Sequence, residues 1–153
     1  MKTVGIILAL IIIGAGAFVY FYKTPQNKQQ IKKQQIETEE KQVDVKASFT
    51  IITSGITRSF KNPKYHQRSA NVFLLADDPT IVHVKRSDMV WTDFFNTLPM
   101  KLTKQCLTTG DGETFCDGEN GTLKFYLNGI EDKDLLDKEI NNGDKALIEF
   151  KSS

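Results

Sequence analysis

The chain of 153 residues contains only two cysteines, two histidines and one tryptophan. A zinc site would need two further ligands beside the cysteines, and no histidine lies near them in the sequence. The pattern offers no Ser–His–Asp, Cys–His or paired-carboxylate set, so the sequence predicts neither an enzyme nor a bound cofactor. The formal net charge is +1, which gives no general attraction to nucleic acid. Binding and structural functions remain.

The longest apolar run, Val4–Tyr22, has nineteen residues without a charge. A helix rises about 1.5 Å per residue, so this run is just long enough to cross a hydrocarbon layer of about 30 Å. We therefore expect residues 1–22 to form a transmembrane helix that acts as an uncleaved signal anchor. The alternative is a secreted form, because the small residues up to Ala17 resemble a signal-peptide cleavage motif. No cysteine lies near the run, so a lipoprotein anchor is not supported.

Residues 23–42 form a polar segment rich in Gln, Lys and Glu, in which Ile31 and Ile36 are the large apolar residues. Two such side chains cannot form a buried helical stripe, so we expect a tether that holds the following domain off the membrane. The lysines of the tether favour a cytoplasmic domain by the positive-inside rule. The very short N-terminal flank and the cysteine pair favour export, and we expect the domain to lie outside the cytoplasm.

Residues 43–153 carry mainly strand signals. Alternation from Val43 places Ala47, Phe49 and Ile51 on one face of a strand and polar residues on the other. Further strands or extended segments are predicted at residues 56–60, 71–76, 81–85, 101–107, 122–127 and 146–150, and residues 108–121 are predicted to form a loop rich in Gly, Asp and Glu.

One short helix is predicted at Trp91–Leu98, with Ser87 or Thr92 as its cap and Pro99 as its stop. The dipeptide Asn128-Gly129 is a strong signal for a type I′ hairpin turn. Together the elements predict an α+β domain with a mainly antiparallel sheet and one short helix.

Three segments support a resemblance to known proteins: residues 48–55, residues 79–95 and residues 122–148. In pattern and order the chain resembles a family of uncharacterised, membrane-anchored extracytoplasmic proteins of archaea and candidate-phylum bacteria. Its last part is similar to ubiquitin-like β-grasp modules such as the transcobalamin-type C-terminal domain. The resemblance covers about residues 47–150 and implies a small β-grasp-like domain.

The resemblance also implies a metal site, because members of the family carry paired histidines in the first strand and again before a later strand. This chain departs from that pattern. Residues 46–48 read Lys-Ala-Ser and residues 74–77 read Leu-Leu-Ala-Asp at the corresponding places, so only His83 remains. A family metal site is therefore not supported by the sequence.

Cys106 and Cys116 are separated by a short, glycine-containing segment. In an exported domain a disulfide is the default pairing of two such cysteines. Two free thiols are the alternative. A second modification is suggested by Asn120, since Asn120-Gly121-Thr122 is an N-glycosylation sequon.

An acidic stretch overlaps the cysteine loop and offers oxygen ligands for a cation such as Ca²⁺. Its residues do not follow the spacing of a calcium loop, and a solvated turn is the simpler interpretation. With the one histidine that alternates within a strand, the candidate metal ligands are His83, Asp111, Glu113, Asp117 and Glu119.

The aromatic residues of the short helix, Trp91, Phe94 and Phe95, have two interpretations. The simpler one places them in the core. The alternative is an exposed aromatic patch that binds a partner.

Two functional hypotheses follow. The first is a single-pass, membrane-anchored binding or structural module, such as an accessory subunit of an envelope complex, whose partners are the lipid bilayer and another envelope or membrane protein. The second is an extracytoplasmic protein that binds a metal or a small molecule. Fold similarity alone cannot name the ligand.

Overall fold

The computed structural model describes residues 42–118 and 120–153. The strands are β1 (Gln42–Thr53), β2 (Ile56–Thr57), β3 (Val72–Leu74), β4 (Ile81–Arg86), β5 (Lys101–Leu102), β6 (Cys106–Thr108), β7 (Thr114–Cys116), β8 (Gly121–Leu127), β9 (Ile130–Glu131) and β10 (Lys145–Ser152). The helices are α1 (Trp91–Thr97) and two 3₁₀ turns, η1 (Pro63–Tyr65) and η2 (Leu135–Asp137). The prediction of a mainly β domain with one α-helix is confirmed for these residues.

The predicted anchor of residues 1–22, the cleavage position near Ala17 and the tether as far as residue 41 lie outside the described residues. Within residues 42–118 and 120–153, no helix has the length and apolar character needed to cross a membrane. The first strand begins at Gln42, one residue before the boundary expected from the sequence.

The central sheet has seven strands, in the order β3-β4-β1-β10-β8-β9, with β2 paired to the end of β1. Every pairing in it is antiparallel except β1 with β10, which run parallel from Ser48 opposite Lys145 to Thr53 opposite Phe150. A second sheet contains β5, β6 and β7. The mainly antiparallel character that the sequence predicts is therefore confirmed. The parallel pair at the centre of the sheet was not predicted.

The core lies on one side of the central sheet, which we call the inner face. Alternation along β1 points Ala47, Phe49 and Ile51 to this side, where all three are buried, as predicted. Phe49 occupies the middle of the core: its ring centroid lies 5.0 Å from that of Phe94 and 4.7 Å from that of Phe60. Such aromatic pairs contribute about 0.5–1.5 kcal/mol each beyond the area that they bury.

The second sheet and η2 also pack on the inner face. Phe115 of β7 contacts Phe150 of β10, with ring centroids 5.2 Å apart. Leu135 and Leu136 of η2 are buried in the same core. The elements that follow the helix therefore complete one continuous apolar layer under the sheet.

Three local predictions need correction. The return strand expected at residues 56–60 is limited to Ile56–Thr57, because Phe60 turns inward and is buried. The loop expected at residues 108–121 contains β7, which pairs with β6. Neither Ser87 nor Thr92 caps α1: the Thr92 hydroxyl donates to the carbonyl of Leu136 instead.

The helix start is stabilised by a different residue. The Asp93 carboxylate accepts the backbone N–H of Val90 at 3.0 Å, and an acidic side chain in the first turn also suits the helix dipole. The helix ends at Thr97, one residue earlier than predicted, and Pro99 follows as the expected stop.

The turn between β8 and β9 has the predicted conformation. Asn128 and Gly129 have φ angles of 54° and 82°, both in the left-handed region that a type I′ turn requires. The Asn128 side chain also accepts the backbone N–H of Lys145 and donates to the buried Asp144, each at 2.9 Å. The turn is therefore tied to the start of β10, which fixes the strand register at this end of the sheet.

Candidate functional site on the open face of the sheet

The predicted disulfide is present. Cys106 on β6 and Cys116 on β7 lie directly opposite each other, with the sulfur atoms 2.08 Å apart and the Cα atoms 4.1 Å apart. The bond therefore crosslinks the two arms of a hairpin whose connecting loop carries Asp111 and Glu113.

The acidic residues of this loop face separate cations. The Asp111 carboxylate accepts a hydrogen bond from Lys64 at 2.8 Å, which holds the pKa of Asp111 below its ordinary value. Glu113 pairs with Arg58 at 2.5 Å. Each carboxylate is therefore neutralised by a basic side chain from the segment after β2.

The other metal candidates do not join them. Asp117 accepts the backbone N–H of Leu123 at 3.0 Å, and Glu119 lies outside the described residues. His83 lies on β4 in the central sheet. Among the residues that the structure describes, no group of three His, Cys, Asp or Glu side chains is arranged to hold a metal ion.

The helix aromatics belong to the core. Trp91 and Phe94 are fully buried and Phe95 is 2% exposed. The alternative of an exposed aromatic patch is therefore wrong for these three residues. Their rings pack against one another, and those of Phe94 and Phe95 also pack against Phe49 of β1.

Asn120 is exposed and lies immediately before β8, with a φ angle of 59°. Its carbonyl accepts the backbone N–H of Ser153. The position leaves the side chain at the surface, and glycosylation there stays a prediction.

His83 lies on the side of the sheet opposite the core. It pairs across strands with Lys46 of β1 and stacks on Phe73 of β3, with the two rings nearly parallel and their centroids 5.5 Å apart. Burial lowers the pKa of His83, and the positive charges of Lys46 and Lys85 lower it further. The imidazole therefore remains neutral near pH 7.

This second side of the central sheet is the open face, formed by the outward residues of β3, β4, β1, β10, β8 and β9. The described helices and the second sheet pack on the inner face. Across the middle strands, Thr50 pairs with Leu147, and Leu147 pairs with Tyr126. All three are half-buried.

The middle of the open face is partly apolar. Ile52 lies two residues along β1 from Thr50, and Ile81 on β4 pairs with the neighbouring Ser48. With Leu147 and Tyr126, these side chains form an apolar centre around Thr50. The open face therefore combines a partly exposed apolar centre with a polar surround, an arrangement that many protein interfaces share.

Charged residues surround this centre. Three ion pairs lie on the open face: Lys85–Asp44, Lys124–Glu131 and Lys151–Glu149, at 2.7, 2.9 and 3.3 Å. Lys46 and Lys145 are exposed and have no ion-pair partner among the described residues. The two lie on neighbouring parallel strands, since Lys145 is opposite Ser48. The open face therefore carries an excess of positive charge at the end where β1 and β10 begin.

Part of this surface is predicted by the alternation of side chains along β1. Alternation along β1 already placed its polar residues on the side away from Ala47 and Phe49. The neighbourhood of Lys46 and Lys145 could not be predicted, because it depends on the parallel pairing of two strands about a hundred residues apart.

No family model, curated protein or solved structure matches the chain.

Proposed function

We propose that the protein is a single-pass, membrane-anchored binding module that lies outside the cytoplasm and docks another envelope or membrane protein through its open face. The observation that carries this proposal is the apolar centre of the open face, bordered by Lys46 and Lys145. Ile52, Leu147 and Tyr126 bury only part of their surface in the described domain. A partner that covered them would remove this apolar area from water, and this burial would favour binding.

The strand order supports the β-grasp-like class for this domain. The first long strand and the last strand lie parallel at the sheet centre, and α1 follows the antiparallel pair β1 and β4. The helix packs across one face only, which leaves the other face available for binding. Location outside the cytoplasm is supported by the Cys106–Cys116 disulfide, since such bonds persist in oxidising compartments.

The charge of the open face indicates the chemistry of the partner. Its acidic residues are all engaged in ion pairs, whereas Lys46 and Lys145 remain without a carboxylate partner in the described chain. A second copy of the same face would bring these lysines against like charges. A partner with carboxylates placed around a small apolar contact is complementary, and charge complementarity of this kind sets orientation and association rate.

A photo-crosslinking experiment in intact cells tests this proposal. The full-length chain would carry p-benzoylphenylalanine at Tyr126, in the apolar centre, or at Asn96, an exposed helix position away from the open face. We expect a discrete crosslinked protein from position 126, absent from position 96, with the crosslink mapped to an acidic surface. Equal crosslinking from both positions, or none from position 126, would contradict the proposal.

A further inference from the structure

A concave site lies on the inner side of the sheet, beside the disulfide hairpin. It is a cleft of about 210 Å³ between the segment after β2 and the loop that joins β6 to β7. Its floor is apolar and consists of Ile51, Phe60, Tyr65, Met100 and Leu107. Ile51 points away from the open face, so the cleft is separate from the proposed docking surface.

Ion pairs hold the two walls of the cleft together. Arg58 spans the gap: its guanidinium donates to Glu113 and to the buried hydroxyl of Thr53, both at 2.5 Å. The same group lies over the ring of Phe115, 5.3 Å from its centroid. Beside Arg58, Lys64 forms an ion pair with Asp111 of the opposite wall. The cleft is therefore formed in advance by contacts within the domain.

The floor is supported by the aromatic core. Tyr65 packs edge-on against Phe60, whose ring packs against Phe49 at the centre of the core. Opposite Tyr65, Gly110 allows the loop to approach closely, because a Cβ there would lie 2.5 Å from the Tyr65 hydroxyl oxygen. A floor built in this way does not need to rearrange when a ligand binds, which lowers the free-energy cost of binding.

The rim of the cleft supplies hydrogen-bonding groups without a net charge. Arg58 and Asp111 border it, and each is paired with an opposite charge. Thr57, Ser59 and Thr109 also line it. The hydroxyls of Ser59 and Thr109 accept backbone N–H groups, so each keeps its own hydrogen to donate.

We propose that this cleft binds a small, uncharged molecule with one apolar ring and an amide or hydroxyl group. The ring would lie on the floor beside Met100, which is half-buried, and the polar group would meet the hydroxyls of the rim. The cleft is smaller than the roughly 300–1,000 Å³ of sites for drug-sized ligands, so a single ring is the appropriate size. The proposal is independent of protein docking on the open face.

The test uses the full-length chain in lipid nanodiscs, labelled with ¹³C at the methionine methyl groups. Met100 lines the cleft, and Met89 is buried elsewhere and serves as an internal control. Benzamide is the probe, with benzoate and benzylammonium as charged analogues of similar size. We expect a saturable shift of the Met100 signal with benzamide, no shift of the Met89 signal, and affinities for both charged probes at least fivefold weaker.

Matched variants test the role of the rim. Ser59→Ala removes one rim hydroxyl and should weaken benzamide binding roughly three- to tenfold, the value of one hydrogen bond. Ser153→Ala, at the exposed C-terminus, should leave the affinity unchanged. The proposal is wrong if the Met100 signal does not saturate, if Met89 shifts with it, if a charged probe binds as tightly as benzamide, or if Ser59→Ala has no effect.

Discussion

The Tyr65 hydroxyl occupies the space that a side chain at residue 110 would need. A Cβ built on Gly110 would lie 2.5 Å from that oxygen and 2.9 Å from the carbonyl oxygen of Pro99. Glycine at residue 110 therefore lets the loop of the disulfide hairpin close against η1. The contact joins the second sheet to the aromatic core around Phe60.

Gly110→Ala should destabilise the domain by about 1–3 kcal/mol, because the added methyl group overlaps atoms that are held in place on both sides. Chemical unfolding of the full-length chain in detergent measures this loss. Tyr65→Phe combined with Gly110→Ala should recover part of the stability, since one of the two overlapping atoms is gone. A Gly110→Ala variant as stable as the original chain would show that the close contact is absent in solution.

Replacing both Cys106 and Cys116 with serine should lower the free energy of unfolding by about 2–3 kcal/mol, because the crosslink restricts the unfolded chain. Thermal unfolding with and without reductant provides the measurement. The original chain should lose stability when reductant is added, whereas the double variant should not respond. Equal responses of the two proteins to reductant would mean that the disulfide does not stabilise the fold.

The acid sensitivity of the domain should depend in part on His83. Burial first, and then the charges of Lys46 and Lys85, lower the pKa of His83 below its ordinary value of 6.5, whereas Asp44 and Asp77 raise it by less. Below pH 6.5 the unfolded chain therefore takes up a proton before the folded chain does. This contribution to stability is present above pH 6.5 and is lost as the pH falls through 6.5 toward the lower, folded-state pKa.

The corresponding experiment compares His83→Gln with the original chain in thermal unfolding between pH 7.5 and 5. The variant should lose less stability on acidification, so that the plots of stability against pH for the two proteins converge at low pH. Lys46→Ala should also raise the pKa of His83 in an NMR titration, because one neighbouring positive charge is removed. Parallel unfolding curves together with an unchanged pKa would contradict this assignment.

The predicted location can be tested with a membrane-impermeant thiol reagent on intact cells. If the domain is outside the cytoplasm, Cys106 and Cys116 should become labelled only after a reductant has been added. Retention of the chain in the membrane fraction would distinguish the uncleaved anchor from the secreted form. Labelling that needs cell lysis and no reductant would place the domain in the cytoplasm.

Local patterns in the sequence predicted much of the fold because they depend on neighbouring residues. The alternation through Phe49 and Ile51 identified the inner face of β1, and Asn128-Gly129 identified a turn whose positive φ angles few other residues adopt. The helix aromatics were more simply interpreted as core residues, and the structure places them there.

Other features depend on contacts between distant residues and left no local signal. Strand β7 has only three residues and follows a Gly- and Asp-rich turn, so its pairing with β6 could not be distinguished from a loop. The pairing of β1 with β10 creates the basic end of the open face, and the ion pair of Arg58 with Glu113 joins the two walls of the cleft. Neither can be seen in a single stretch of sequence.

The most direct test of the proposed function is charge reversal on the open face. The quantity measured is the affinity for the protein that crosslinks to position 126. Lys46→Glu with Lys145→Glu should weaken binding of that partner at least tenfold, because like charges would then face each other across the interface. Lys61→Glu with Lys101→Glu makes the same change in net charge at exposed positions away from the open face and should alter the affinity little. Equal affinities for the two double variants would contradict the docking of an acidic partner on the open face.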